Sequence, residues 1–215
     1  MAVAELPTLS TFLIKVAARC DLACDYCYVF EHADQSWRDL PARMAPAVQR
    51  RTAERIGEYA EENELTDVTI IFHGGEPLLF GTKRLAAFAA EIEEQLPAGS
   101  TCHFGLQTNG MLLDENAVAD LAAAGIAVSI SLDGPKEAND RHRLTVSGRS
   151  SFDATSAAIE RVRHHRNVFA GVISVIDVLN DLLEDEVDQG TPLVAEARGI
   201  AEIAATVRAP FHRDV

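Results

Sequence analysis

Three cysteines, Cys20, Cys24 and Cys27, fall within eight residues in the run RCDLACDYCYVF. The chain has only one other, Cys102. An odd cluster this tight does not pair off into disulfides, and thiolates at such spacing are metal ligands. Two chemistries fit. Iron–sulfur clusters prefer thiolates, and a cubane held by three of them leaves one iron open to a further ligand. The rival is a tetrahedral zinc that takes His32, five residues past Cys27, as its fourth ligand.

Three other runs are rich in glycine and short polar side chains: His73-Gly74-Gly75-Glu76-Pro77, Gln107-Thr108-Asn109-Gly110 and Ser131-Leu132-Asp133-Gly134. The elements around them alternate. LSTFLIKV (9–16), DVTIIFH (67–73), TCHFGLQ (101–107), IAVSIS (126–131) and VFAGVISVI (168–176) read as strands. Residues 45–63, 82–96 and 151–166 read as helices, as does a segment capped by Asp114 and stopped by Gly125. Such strand–helix units form a parallel sheet with right-handed crossovers. The expected fold is therefore α/β, an open βα barrel of about five parallel strands with outer helices.

On that scheme the cysteines and the three glycine-rich runs all follow the carboxyl ends of strands. Parallel α/β folds bind their ligands at that edge. Cys102 starts its strand instead, roughly 16 Å from the edge at about 3.3 Å per residue. It reads as a small apolar side chain and not a ligand. A zinc site would give no reason for the three glycine-rich runs. The segment between Cys27 and Met44 has no helix or strand pattern, and loops of that length are commonly functional or disordered. Trp37 is its expected packing anchor.

Composition narrows the classes. With 47% apolar residues in a 215-residue chain, a sizeable core can form. A formal net charge of −14 disfavours nucleic acid as a partner. The one basic cluster, RVRHHR (161–166), reads as a solvated helix end. No apolar run reaches the length of about 18 residues that suggests a membrane span. Lys15 interrupts the first apolar run and no basic region precedes it, so the chain reads as unexported and cytoplasmic.

The spacing Cys20-x3-Cys24-x2-Cys27, together with His73–Pro77, Thr108-Asn109-Gly110 and Ser131–Pro135, resembles the radical S-adenosylmethionine (SAM) enzymes. The similarity is to their peptide-maturing branch, which includes sulfatase maturases and FxsB-like cyclophane-forming maturases. The stretch CDYCYVFEHADQSW is most similar to the latter. The resemblance implies a 4Fe–4S cluster on the three cysteines, with SAM on the fourth iron through its amino and carboxylate groups. It also implies a flavodoxin- or ferredoxin-type electron donor and a ribosomally made peptide substrate. Reductive cleavage of SAM then gives methionine and a 5′-deoxyadenosyl radical that takes a hydrogen atom from the peptide.

The implied SAM contacts are specific. Tyr26 lies near the adenine, the Gly74 and Gly75 carbonyls and the Glu76 carboxylate near the ammonium, and Ser131 near the polar groups. Arg143 offers a guanidinium fork to the SAM carboxylate. Gln107 and Asn109 line the barrel mouth. Asp133 reads equally well as a turn residue.

Residues 1–180 are expected to form the core, and 181–215 an acidic linker and a divergent Ala-rich helix. A complete radical SAM core has about six βα units, usually followed in this branch by a Cys-rich extension. Here no sixth strand is evident and no cysteine follows Cys102. Three functions remain open: a peptide-crosslinking enzyme, a sulfatase-maturase-like side-chain oxidase, and a truncated remnant that binds cluster and SAM only.

Overall fold

The computed structural model describes residues 8–175. The expected acidic linker and tail helix lie outside the described residues. Five strands, β1 (Thr11–Ala17), β2 (Asp67–Gly74), β3 (Thr101–Thr108), β4 (Ile126–Ser131) and β5 (Phe169–Ile173), form one parallel sheet in the order of the sequence. Between them run α1 (Pro46–Glu62), α2 (Thr82–Gln95), α3 (Glu115–Ala123), the short α4 (Lys136–His142) and α5 (Phe152–Val162). Among the described residues β1 and β5 are the edge strands of the sheet, each laddered to one strand, so the sheet is open.

The pleat explains the layering. Val68, Ile70 and Phe72 of β2 and Ile126, Val128 and Ile130 of β4 are buried, while their alternate neighbours are half-buried. The buried face meets Ile56, Leu85, Phe88, Ile92, Leu121 and Ile159 of the helices in one core. Each such side chain contributes about 1.5–3 kcal/mol by leaving water. The half-buried face, with Ile71, His73, Gln107 and Ser129, is the inner wall of the open barrel.

Helix ends follow local chemistry. The Asp114 carboxylate accepts from the Ala117 amide at 2.8 Å and caps α3, and Gly125 ends that unit at φ 65°. Residues 163–166, the expected solvated basic end, are exposed after α5. Two short elements, besides the 3₁₀ turn Pro77–Phe80, depart from the sequence reading. The polar run KEANDRH forms α4, and Ser36–Asp39 forms a turn of 3₁₀ helix inside the segment that carried no pattern. Both are too short to show a period.

The free edge of β1 is covered at its upper end. Met44 N–H donates to Val16 O at 2.9 Å and Ala18 N–H to Ala42 O at 3.1 Å. The 28–44 segment is thereby anchored at its far end, next to the cysteine loop.

Candidate functional site

The cysteine loop leaves β1 and passes directly over the end of β2. Gly75 N–H donates to Ala17 O at 2.9 Å and Glu76 N–H to Arg19 O at 2.8 Å. This crossing explains the two glycines. A Cβ on Gly74, which sits at φ 142°, would lie 2.2 Å from Ala17 O. One on Gly75 would lie 2.2 Å from Arg19 O and 2.7 Å from Phe30 Cζ. The chain itself requires glycine here, before any ligand is considered.

A cavity of about 420 Å³ opens at this edge, within the range of small-molecule sites. Its wall includes Cys20, Cys24 and Cys27, and also Tyr26, Gly74, Gly75, Gln107, Asn109, Ser131 and Arg143. Residues expected from four separate loops thus meet at one cavity.

Glu76 is the exception among the expected contacts. It is fully buried and absent from the cavity wall. One carboxylate oxygen accepts from Leu78 N–H (2.9 Å) and Thr108 Oγ1 (2.7 Å), the other from Asn109 N–H (2.8 Å). With both oxygens occupied, the carboxylate braces the ends of β2 and β3 rather than facing a ligand. Asn109 continues that brace. Its Nδ2 donates to Asp21 Oδ1 at 2.6 Å, which ties β3 to the cysteine loop.

The thiols suit a polynuclear centre. Burial pushes the Cys20 thiol up to about 12 and Cys24 up to about 11, so each needs a cation in the cavity to become a thiolate at neutral pH. Among the described residues, no three His, Cys, Asp or Glu side chains converge on a single-ion site. Thiols spread around a cavity match a cluster in which each iron takes one. His32, the zinc alternative's fourth ligand, is exposed and off the cavity wall, and its carbonyl accepts from Gln35 Nε2 at 2.6 Å. Cys102 is half-buried at the start of β3, packed against the core and off the same wall.

Arg143, 7% exposed, is the one buried cation at the site. Its Nη1 donates to the Tyr26 hydroxyl at 3.0 Å, and that hydroxyl donates to Asp133. Its Nε has no partner among the described residues. Beside it, Gln107 Nε2 donates to Ser131 Oγ at 2.7 Å across two strand ends. His73 Nδ1 lies 2.7 Å from Gly74 N and 3.1 Å from Gly74 O.

A second tie closes the loop side. Arg19 donates to the carbonyls of Trp37 (2.9 Å), Arg38 (3.2 Å) and Leu40 (3.1 Å), and its guanidinium lies 5.3 Å from the Trp37 ring centroid. Trp37 packs edge-on against Phe30, with centroids 4.8 Å apart. Arg19→Ala is expected to cost about 2–4 kcal/mol of local closure, since bonds to a charged donor contribute about 1.5–3 kcal/mol each and these are partly exposed. Limited proteolysis should then cut within 28–44 at least tenfold faster, while far-UV circular dichroism stays unchanged.

Comparison with known proteins agrees with this geometry. The profile described as "Radical SAM superfamily" matches residues 14–189. The chain belongs to the radical SAM superfamily. Among curated relatives, this radical SAM chain is 30% identical over 154 residues to a serine-type anaerobic sulfatase-maturating enzyme of Bacteroides thetaiotaomicron, covering 70% of the chain and 35% of the relative. It is 24% identical over 172 residues to a cysteine-type enzyme of Clostridium novyi, covering 80% of the chain and 45% of the relative. The solved structure "Native anSMEcpe with bound AdoMet" shares the fold, with a TM-score of 0.69 at 22% identity over 89% of this chain and 48% of that one. The chain thus spans less than half the length of these relatives. No helix among the described residues is long and apolar enough to cross a membrane.

Sequence reasoning missed several supports. Asn139 and Ser151 are fully buried, with Asn139 Nδ2 donating to Ser151 Oγ (3.1 Å) and Ser151 Oγ to Arg143 O (2.6 Å). Neither carries a motif. The available signal was their closeness to Arg143 in a short polar stretch.

Proposed function

We propose that this chain holds a 4Fe–4S cluster through Cys20, Cys24 and Cys27 and SAM in the same cavity, as the cofactor half of a peptide-modifying radical SAM enzyme. The observation that carries this is the pairing, on one cavity wall, of three half-buried thiols with a buried arginine whose Nε is unspent. A carboxylate is the anion that matches the free side of a guanidinium. When bound, the cluster supplies the electron that cleaves SAM to an abstracting carbon radical.

The chain's own residues do the rest. Arg143 orients the amino-acid end of SAM. Gln107 and Ser131, already bonded to each other, offer a paired donor and acceptor. Tyr28, Val29 and Phe30 complete the wall beside the thiols.

For the substrate, two readings stand. The curated relatives favour oxidation of a side chain on a protein, in the manner of sulfatase maturation. The run CDYCYVFEHADQSW favours crosslinking of a ribosomal peptide. Each removes hydrogen from the peptide, but only the first leaves an aldehyde. Reduced protein is to be incubated with SAM and candidate peptides without oxygen. Hydrazide capture of the product supports oxidation, and a product two hydrogens lighter that resists capture supports the crosslink.

The site itself is tested by SAM binding. Arg143→Ala should weaken it by about ten- to a hundredfold, the worth of one or two charge-assisted bonds. Equilibrium dialysis of cluster-loaded protein reads this directly, and unchanged binding would remove the assignment.

A further inference from the structure

Arg143 does not stand alone. Its guanidinium is held through Nη1 by the Tyr26 hydroxyl, and that hydroxyl donates to Asp133 Oδ2. Asp133 is 2% exposed, and its other oxygen accepts from Val175 N–H at 3.0 Å. The three side chains come from the cysteine loop, the end of β4 and the end of α4. They form a single file: Arg143 donates to Tyr26, and Tyr26 donates to Asp133.

A buried guanidinium has five donors and several rotamers. Left alone, it turns toward whatever acceptor or water is nearest. Fixing Nη1 at one end leaves the Nε side as the free face. We propose that the Tyr26 hydroxyl and Asp133 are positioning residues for anion recognition: they aim Arg143 so that its unspent side meets the carboxylate of SAM. This rests on the SAM site proposed above. Tyr26 thereby has a task separate from its ring, and Asp133 has one separate from the turn it begins.

Three further contacts support a directed arrangement. Asp133 N–H lies 3.5 Å from Asn139 Oδ1, Ser151 Oγ donates to the Arg143 carbonyl at 2.6 Å, and Arg143 N–H donates to Asn139 O at 2.8 Å. Main chain and side chain of Arg143 are thus both held. The Tyr26 ring rests on the His142 imidazole, with centroids 5.4 Å apart, so removing the hydroxyl leaves the ring seated.

The test compares SAM with decarboxylated SAM, which lacks only the carboxylate. Binding of each to cluster-loaded full chain is measured by equilibrium dialysis, with iron content as the control for folding. Tyr26→Phe should lower the preference for SAM about tenfold, the scale of one bond to a charged group, while affinity for the decarboxylated analogue is unchanged. Asp133→Ala should lower the same preference, and the double variant should lose no more than the larger single loss, because the two act as one file. A Tyr26→Phe protein that keeps the full preference, while Arg143→Ala loses it, overturns the inference. If Arg143→Ala also keeps it, the SAM site itself falls. If Asp133→Ala cannot retain iron, the Tyr26→Phe result decides alone.

Discussion

Alanine in place of Cys20, Cys24 or Cys27 is expected to strip the reconstituted protein of its iron, whereas Cys102→Ala should retain about four irons per chain, as one cubane requires. The contrast follows from position. The first three thiols share a cavity wall, and the fourth is packed at the far end of β3. The Cys20 and Cys24 thiols, pushed up to about 12 and about 11, have little intrinsic tendency to ionise, so the metal must drive their deprotonation. With one thiolate lost, an iron loses its only protein ligand at that corner. Iron and sulfide assay with visible absorption after anaerobic reconstitution checks this. Stoichiometric zinc in a colourless protein would reinstate the single-ion reading.

Glu76→Ala should be the most damaging change outside the cysteines. It leaves two backbone amides and the Thr108 hydroxyl buried without their acceptor, at about 1–3 kcal/mol each. Iron retention and SAM binding should fall together, because the brace reaches Asn109 and, through it, Asp21 beside Cys20. A variant that lost SAM affinity alone would restore Glu76 to direct ligand contact.

The same residue predicts a pH dependence. Burial lifts its carboxyl from 4.5 to about 7, against the pull of the Asn109, Thr108 and Leu78 donors. The native state therefore keeps the proton through a range where the unfolded chain has released it. Stability falls as pH rises from about 4.5 toward 7 and is level above, by up to roughly 3 kcal/mol. Urea midpoints at pH 5 and 8 should differ more for the parent than for Glu76→Gln, which has no proton to lose.

Much of this was legible in the chain because the signals repeat. β-branched runs, helix caps and glycine-rich strand ends recur in phase, and each fixes the next. IAVSIS was read as a strand over the residues that β4 occupies, and the Asp114 cap formed as its side-chain chemistry requires. What remained hidden was direction. The motif HGGEP places a carboxylate at the ligand edge, but nothing in the letters says that Glu76 turns inward to the amides of Leu78 and Asn109. Asp133 was balanced between turn and site because its partner, Tyr26, is distant in sequence. The glycines were assigned to ligand approach, yet the crossing of the cysteine loop over β2 already requires them. Contacts between separate loops leave no periodic trace.

The strand order has a consequence for biogenesis. Among the described residues every strand pairs only with its neighbours in sequence, so the sheet can zip up as the chain leaves the ribosome. The thiols of the first loop emerge early, but Arg143 and Ser151 follow only after four strands have been made. At about 5–20 residues per second the interval is on the order of ten seconds. During it the nascent cysteines have no enclosing wall and are open to adventitious metals or oxidants. The enclosing wall is complete only once α5 has been made, and slowing elongation between β1 and α5 would lengthen the exposure of the bare thiols.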